Sequence, residues 1–339
     1  MLTKKQITFL REELATAKNP LFFYDSDGDG LASFLLLYRI NKEGKGYRVT
    51  TSSSLNESFM RRVEEWNPDK IFILDIPNVD QEFLDKAKRP VFWIDHHKPQ
   101  ERQKVHYYNP RIKNPDAYIP TSRMCYQVSD QDLWLATAGS LADWHMPSFI
   151  SKFIKKHKYF LNKKKDLPNT VFKSKVGMLV KLLFFIQKGP SKEVTKAVKV
   201  LTRINSPEEI FNEETSQGKF IHRRFVEVNK RYEDLFKEAK KSVTRSKLIL
   251  FYYNEQKWSF TANLANELMA RHQSKYIIIA RLKSGSYKCS LRGKNVATVL
   301  EQALQGVSGH GGGHPDACGA VVDEQDWNVF LKEFKRGIK

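Results

Sequence analysis

The sequence predicts an α/β protein with a parallel-sheet domain, a helical connector and a smaller α/β domain. Three observations lead there. Residues 1–150 alternate short apolar runs with amphipathic helical stretches, residues 151–245 turn lysine-rich and helical, and residues 246–339 return to strand-and-helix alternation. Parallel neighbours need long crossovers, usually helical, which is what the first part supplies.

In chain order, 20–24 reads as a strand and 33–38 as part of the helix that follows it. Residues 70–74 form a second strand ending at Asp75, and 91–94 a third ending at Asp95. Ligands of open α/β sheets bind at the carboxyl ends of the strands, so these acidic residues stand where a site belongs. In the connector, 151–158 and 163–165 concentrate lysine, and 223–241 carries apolar residues at helical spacing. The last domain opens with strands over 247–253 and 276–280. No internal repeat or low-complexity tail is present.

Hydrophobic residues make up 41% and charged residues 28%, the balance of an ordinary soluble chain. No apolar run is long enough to span a bilayer, and Met1-Leu2-Thr3-Lys4-Lys5 lacks the apolar core of a secretory signal. Cys125, Cys289 and Cys318 stand far apart without a CxxC pair, which argues for reduced, buried thiols and against a zinc site. The expectation is a cytoplasmic protein with no membrane partner. Lys and Arg number 57 against 38 Asp and Glu, a formal charge of +19. Such an excess favours a polyanion, because each neutralised phosphate releases condensed counterions.

The chemistry concentrates in the first part. Asp25-Ser26-Asp27-Gly28-Asp29-Gly30 leaves a strand and enters a helix. If that segment stays extended, alternate residues share a face and the three carboxylates converge. They would repel each other unless cations neutralise them. Oxygen ligands suit Mg²⁺ or Mn²⁺, and added imidazoles shift the preference to Mn²⁺. Alone, the hexapeptide reads equally well as an Asp/Gly turn. An EF-hand fails, since a strand precedes the loop and no glutamate closes it. Asp75 and Asp95-His96-His97 follow further strands, and their gathering at one sheet edge makes chance an inadequate account.

Near the other end, Gly311-Gly312-Gly313 lets backbone amides approach a phosphate, with His314 and Arg292 as further donors. Read alone, the run is a glycine hinge with an incidental histidine. A dinucleotide-binding loop is disfavoured, because no GxGxxG follows the first strand. His106, His145, His272 and His310 lack a partner pattern and read as surface or packing residues. Tyr107, Tyr108, Tyr126, Trp144, Tyr159, Phe160, Tyr252 and Tyr287 include candidates for base stacking, but sequence does not sort them from core.

These residues carry a resemblance. Asp27-Gly28-Asp29-Gly30, Asp75, Asp95-His96-His97 and Ala138-Gly139-Ser140-Leu141-Ala142-Asp143 resemble the four ordered motifs of the DHH phosphoesterase superfamily. Asn109-Pro110 and Pro120-Thr121-Ser122 fit between them. Asn263-Leu264-Ala265-Asn266-Glu267, Ser290-Leu291-Arg292-Gly293 and Gly311 to Ala320 resemble the DHHA1 substrate-binding domain.

The resemblance implies a DHH catalytic domain over 1–150, a basic connector over 151–245 and a DHHA1 domain over 246–339, with the site in the cleft between domains. It implies two divalent metal ions, Mn²⁺ preferred and Mg²⁺ acceptable, held by Asp27, Asp29, Asp75, His96 and Asp143, with Asp75 bridging. Asp95 would orient an imidazole, His97 would meet the scissile phosphate, and Ser290, Arg292, Gly311, Gly312, Gly313 and His314 would bind substrate. Many members carry a histidine where this chain has Phe23. RecJ-like members often place an acid where it has Asp25, so Asp25 is assigned to the metal shell.

The leading expectation is a RecJ-like archaeal-type exonuclease on single-stranded DNA or RNA. The alternatives are a hydrolase of oligoribonucleotides or a cyclic dinucleotide, and a scaffold partnering replication or repair proteins. The scaffold is least favoured, because the core acids and both histidines are all present.

Overall fold

Three short runs of apolar side chains, the first closed by Asp25, make the centre of the first sheet. Leu21–Asp25, Ile71–Leu74 and Val91–Ile94 are buried at every position, as strands covered on both faces must be. The computed structural model describes residues 1–50, 54–254 and 257–338, and divides into two compact units, Met1–Phe225 and Val226–Lys339.

In the first unit the strands are β1 (Leu21–Asp25), β2 (Lys45–Val49), β3 (Ile71–Leu74), β4 (Val91–Ile94) and β5 (His106–Tyr108). Around them run α1 (Lys4–Ala15), α2 (Gly28–Asn41), α3 (Met60–Trp66), α4 (Gln81–Ala87), α5 (Thr121–Ser129) and α6 (Leu133–Ala142). The helical stretch continues as α7 (Ile150–Lys156), α8 (Leu167–Lys173), α9 (Val176–Phe185), α10 (Ser191–Leu201) and α11 (Pro207–Phe211). Helix α12 (Ser216–Lys241) contains the boundary between units. The second unit holds β6 (Leu248–Tyr253), α13 (Thr261–Arg271), β7 (Tyr276–Lys283), β8 (Ser286–Arg292) and α14 (Val296–Ala303). It closes with β9 (Gly309–His314), β10 (Ala317–Asp323) and α15 (Trp327–Gly337).

The first sheet is wholly parallel, in the order β2-β1-β3-β4-β5. The chain leaves β1 to one side for β2 and crosses back to the other side for β3. The strand order therefore reverses between β1 and β3, the switch point at which such sheets open a crevice. One face carries an aromatic ladder: Phe22, Phe72, Phe92 and His106 stack in one register row at 5.1, 4.9 and 5.0 Å between centroids. Phe34 of α2 and Phe9 of α1 pack onto it. The opposite face, Phe23, Ile73 and Trp93, closes against Val63 of α3 and Phe83 of α4. Each buried ring contributes about 1.5–3 kcal/mol by leaving water.

Four of the five expected strands stand within a residue of the observed ones, and β7 runs three residues past the expected 276–280. Strands β2, β5, β8, β9 and β10 escaped the reading: Lys45-Gly46-Tyr47-Arg48 is half-exposed, β5 is three residues long, β8 mixes polar and apolar residues, and glycines interrupt β9 and β10. The second sheet is mixed, in the order β6-β7-β8-β10-β9. Its core face, including Ile278, Leu291 and Val322, packs against Leu300 of α14 and Phe330 of α15. No described helix is long and apolar enough to cross a membrane.

Helix α2 is buried almost all round, and small residues let its neighbours approach it. A Cβ at Gly139 of α6 would lie 2.6 Å from the Ala32 Cβ and 2.7 Å from the Ser122 Oγ. Gly139→Leu is expected to destabilise the fold by about 1–3 kcal/mol through overpacking. Urea denaturation reads this as a lower midpoint, and an unchanged midpoint would refute the close approach.

Candidate metal centre

Register builds the site. Tyr24 pairs with Leu74, Leu74 with Ile94, and Ile94 with Tyr108. The next residue on each strand is Asp25, Asp75, Asp95 and Asn109, so three carboxylates and an amide form one row along the carboxyl edge. Asp75 sits in the left-handed region at φ 61°, a conformation that Asp tolerates better than most side chains.

The hexapeptide does not stay extended, which corrects the geometric expectation. Asp25 ends β1, Asp27 caps α2 by accepting from Gly30 N at 2.8 Å, and Asp29 lies in the first helical turn. Asp29 therefore turns away toward α5. It accepts from Thr121 N at 2.7 Å and Ser122 N at 3.1 Å, and from the Ser122 hydroxyl. Pro120 provides no side-chain cap for α5, so Asp29 satisfies those amides and meets the positive end of the helix. Thr121 Oγ1 donates to Asp75 Oδ1 at 3.0 Å.

The ligand atoms fall into three overlapping groups, in each of which all lie within 4.8 Å of one another: Asp25, Asp27 and Asp75; Asp75, His96 and His97; and Asp29, His96 and Asp143. Asp75 and His96 each belong to two groups. His96 Nε2 stands 3.4 Å from Asp75 Oδ1 and 3.5 Å from Asp143 Oδ2. Asp95 belongs to no group. It holds His97 instead, at 2.7 Å from Nδ1, and accepts from His97 N at 3.0 Å and from Asn109 Nδ2 at 3.2 Å.

Crowded acids in a dry site resist ionisation. Burial, then the charges of Asp29 and Asp27, hold Asp75 and Asp143 well above the usual carboxylate range. Burial and the Asp27 charge push Asp29 up to about 7, against the donors on α5. For His97, burial opposes the charged form, but the hydrogen bond and charge of Asp95, with the charges of Asp27 and Asp25, together raise the pKa. The buried Asp143 Oδ2 accepts no hydrogen bond among the described residues. Oxygen and imidazole donors with an unsatisfied buried carboxylate oxygen fit divalent cations of the Mg²⁺ and Mn²⁺ class.

Several contributors were not singled out from sequence. Tyr118 donates to Asp143 O at 2.8 Å and stands edge-on to His96 at 5.6 Å. Thr121, Ser122 and Asn109 lie in stretches the resemblance marked, but their partners follow only from folding. His145, read as a surface or packing residue, lies 6.4 Å from Tyr118 between ring centroids. Tyr107 stacks on Trp93 at 3.9 Å, and Phe160 is buried, so neither is a free platform for a base.

In the second unit Ser290, Arg292, Gly312 and His314 share one face of the sheet, whereas Gly311 and Gly313, also predicted to bind substrate, alternate to the other. Arg292 pairs with Ala317 and Ala317 with His314; Ser290 pairs with Gly319 and Gly319 with Gly312. Gly311, Gly312 and Gly313 form part of the exposed edge strand β9, not a hinge. A Cβ at Gly311 or Gly313 would strike β10, whereas one at Gly312 meets nothing within 4 Å. Arg292 is pinned by Asn266 Oδ1 at 2.7 Å, Leu291 O at 2.7 Å and Cys318 O at 3.2 Å, and burial lowers its pKa to about 10. The result is a glycine-floored shelf edged by a fixed guanidinium.

Replacing Asp75 by Asn removes one of the crowded charges and keeps a residue suited to positive φ. The variant is expected to melt above wild type without metal, and to lose the stabilisation that saturating Mn²⁺ gives wild type, about 4 kcal/mol at a thousand times Kd. A raised folded pKa means stability present at low pH and lost as pH rises. Metal-free wild type should therefore lose stability between about pH 4 and pH 7, the span from an ordinary Asp to Asp29. Thermal melts with and without Mn²⁺ across that range check all three.

Two family models match the sequence: the DHH family, N-terminal domain, over residues 21–143, and the DHHA1 domain over 247–339. No curated protein matches. Among solved structures, exonuclease RecJ bound to manganese is 14% identical, with TM-score 0.58 over 98% of this chain and 93% of that one. RecJ from Thermus thermophilus in complex with Mn²⁺ is 13% identical, with TM-score 0.60; 98% of this chain aligns, spanning about half (54%) of that one. A pGpG-specific phosphodiesterase, PggH from Vibrio cholerae, is 15% identical, with TM-score 0.50 over 95% of this chain and 99% of that one. At these identities the structural likeness establishes the fold, and the two models together cover more than half of the sequence. With its ordered acidic motifs and glycine-rich end module, the chain belongs to the DHH/DHHA1 superfamily and has its phosphoesterase fold.

Proposed function

We propose that this protein is a two-metal-dependent phosphodiesterase that degrades single-stranded DNA or RNA from an end. The observation that carries the reading is the set of overlapping ligand groups at the β1/β3 switch point, in which Asp75 serves two. Asp25, Asp27 and Asp75 would hold one ion; Asp29, His96 and Asp143 would hold the other, with Asp75 joining them. Divalent ions there would stabilise charge on the phosphoryl oxygens and supply a nucleophile at neutral pH. Asp95 keeps the His97 ring fixed, so that Nε2 would meet a phosphate oxygen of the substrate. Water would add to phosphorus as the P–O bond to the leaving nucleoside breaks, with a proton passing to that oxygen. Ser290, Arg292 and His314, around bare Gly312, would bind a substrate phosphate. The division into a catalytic part (1–150), a basic connector (151–245) and a substrate-binding part (246–339) belongs to the same proposal.

The likeness to RecJ and the +19 charge support a strand as substrate. The likeness to a pGpG phosphodiesterase supports a second reading, a hydrolase of dinucleotides and other very short substrates. Matched DNA and RNA strands of several lengths, labelled at either end and digested in Mn²⁺, separate the two. Stepwise shortening that disappears in Asp75→Ala is expected; a clear preference for dinucleotides would install the second reading instead. Asn109→Ala, which loosens Asp95 and through it His97, should lower the rate about 10–100-fold. Asp25→Ala should weaken Mn²⁺ binding, and unchanged affinity and rate would remove Asp25 from the metal shell.

The glycine shelf makes a paired prediction. Gly312→Leu should stay within about 0.5 kcal/mol of wild-type stability, since nothing lies within 4 Å, yet raise KM. Gly313→Ala should destabilise, because φ is 150° and its Cβ would stand 2.4 Å from Ala317 O. Equal melting temperatures for the two variants would refute this account.

A further inference from the structure

Helix α5 starts at the acidic cluster and runs into a groove that the cluster does not use. Thr121 and Ser122 hold Asp75 and Asp29. The rest of α5, with α1, the start of α7 and the segment before it, lines a cavity of about 620 Å³. At 1.5 Å of helix per residue, the lining from Arg123 to Gln127 lies within about 10 Å of Ser122 along the axis.

The groove is basic and unneutralised. Lys4, Arg11, Arg123 and Lys152 line it, and Asp130 is the only carboxylate among the lining residues. None of the four cations makes an ion pair among the described residues. Like charges gathered in a concave surface focus the field and attract anions. Two of the four are held in place. Arg11 Nη2 donates to Gln127 O at 3.1 Å; Arg123 Nη2 donates to Ser148 Oγ at 2.9 Å with its guanidinium 4.7 Å from the Phe149 ring centre. Tyr126 packs on the same ring at 4.7 Å, so one wall is aromatic. A row of rings leads back toward the cluster: His145 beside Tyr118 at 6.4 Å, and Tyr118 beside His96 at 5.6 Å.

We infer that the groove between α1, α5 and α7 is a binding track for single-stranded nucleic acid, taking the stretch of strand next to the bond that is cut. Cations along a groove follow the phosphate backbone, and the half-buried Tyr126 ring, backed by the buried Phe149, offers stacking to a base of any sequence. An acidic polypeptide would satisfy the charge but has no use for the aromatic wall. The inference deepens the strand-hydrolase reading and rests on it.

The test is fluorescence anisotropy with a labelled 12-nucleotide single strand in EDTA, so that binding is read without hydrolysis. The double variant K4E/K152E places glutamate in the first turns of α1 and α7, where it suits the helix dipole. Two exposed lysines of α15 in the second unit, changed together as K332E/K335E, alter net charge by the same amount and are not among the residues that line the groove. K4E/K152E is expected to weaken strand binding at least 10-fold and to lower the log–log salt slope by about 1.4, at 0.7 per lost phosphate contact. K332E/K335E should change affinity less than twofold. Equal weakening by both pairs, or wild-type affinity in K4E/K152E, overturns the track. So does K4E/K152E losing poly-glutamate binding while keeping the strand, which would make the groove a protein-docking surface. A chain that binds strands through the groove yet cuts none overturns the hydrolase reading alone.

Discussion

Carboxylates that repel one another are forced together by the register of a parallel sheet. Asp25, Asp75 and Asp95 end three neighbouring strands in one row. A slip of one residue would send each side chain to the other packed face and break the aligned ladder of Phe22, Phe72 and Phe92. Asp27, Asp29 and Asp143 arrive from the helices that cover the sheet. Much of the surrounding polar structure answers this crowding. The amides of α5 neutralise part of Asp29, Thr121 donates to Asp75, and Asn109 and His97 share Asp95. The carboxyl oxygen of Asp143 that accepts no hydrogen bond among the described residues is a remaining demand, and a cation is its natural answer.

Rigidity comes from the layer beneath. The stacked Phe22, Phe72, Phe92 and His106 tie four strands across their middle, a few residues from the acidic row. A site of this kind needs its ligands held closely by residues that are themselves locked by packing. Gly139 serves the same end, because its missing side chain lets α6 approach Ser122 and so keeps the Asp29 cradle closed. Packing, capping and ligand placement are therefore one problem here, solved by the same few residues.

The second unit meets a different constraint. An edge strand leaves backbone groups unpaired and invites unwanted pairing, yet β9 is exposed along its whole length and rich in glycine. Three of its glycines, Gly309, Gly311 and Gly313, are required by the neighbouring strand, while Gly312 leaves open surface. Beside it Arg292 is buried, pinned and harder to protonate than a free arginine. A guanidinium held by its own fold loses little freedom on meeting an anion.

Fold class, the central strands and the acidic motifs were legible in the sequence because each depends on local pattern. Uninterrupted apolar runs announce buried parallel strands, and an acid at the end of each announces a crevice. The polar edge strands β2 and β5 carried no such pattern. The residues around the cluster were legible as types but not as partners. That Asp29 turns to α5 while Asp25 and Asp27 stay with Asp75 depends on where the helix begins, since one turn sends neighbouring side chains in different directions. That Asp95 serves His97, and Asn266 serves Arg292, depends on which strands and helices adjoin. The basic groove is the extreme case, because Lys4, Arg11, Arg123 and Lys152 come from three helices and share no motif. Sequence by itself determined which chemistry this protein carries, since ligand types and strand ends are local properties. Only tertiary structure decided which atoms meet, because those distances are set by register and helix packing between residues far apart in the chain.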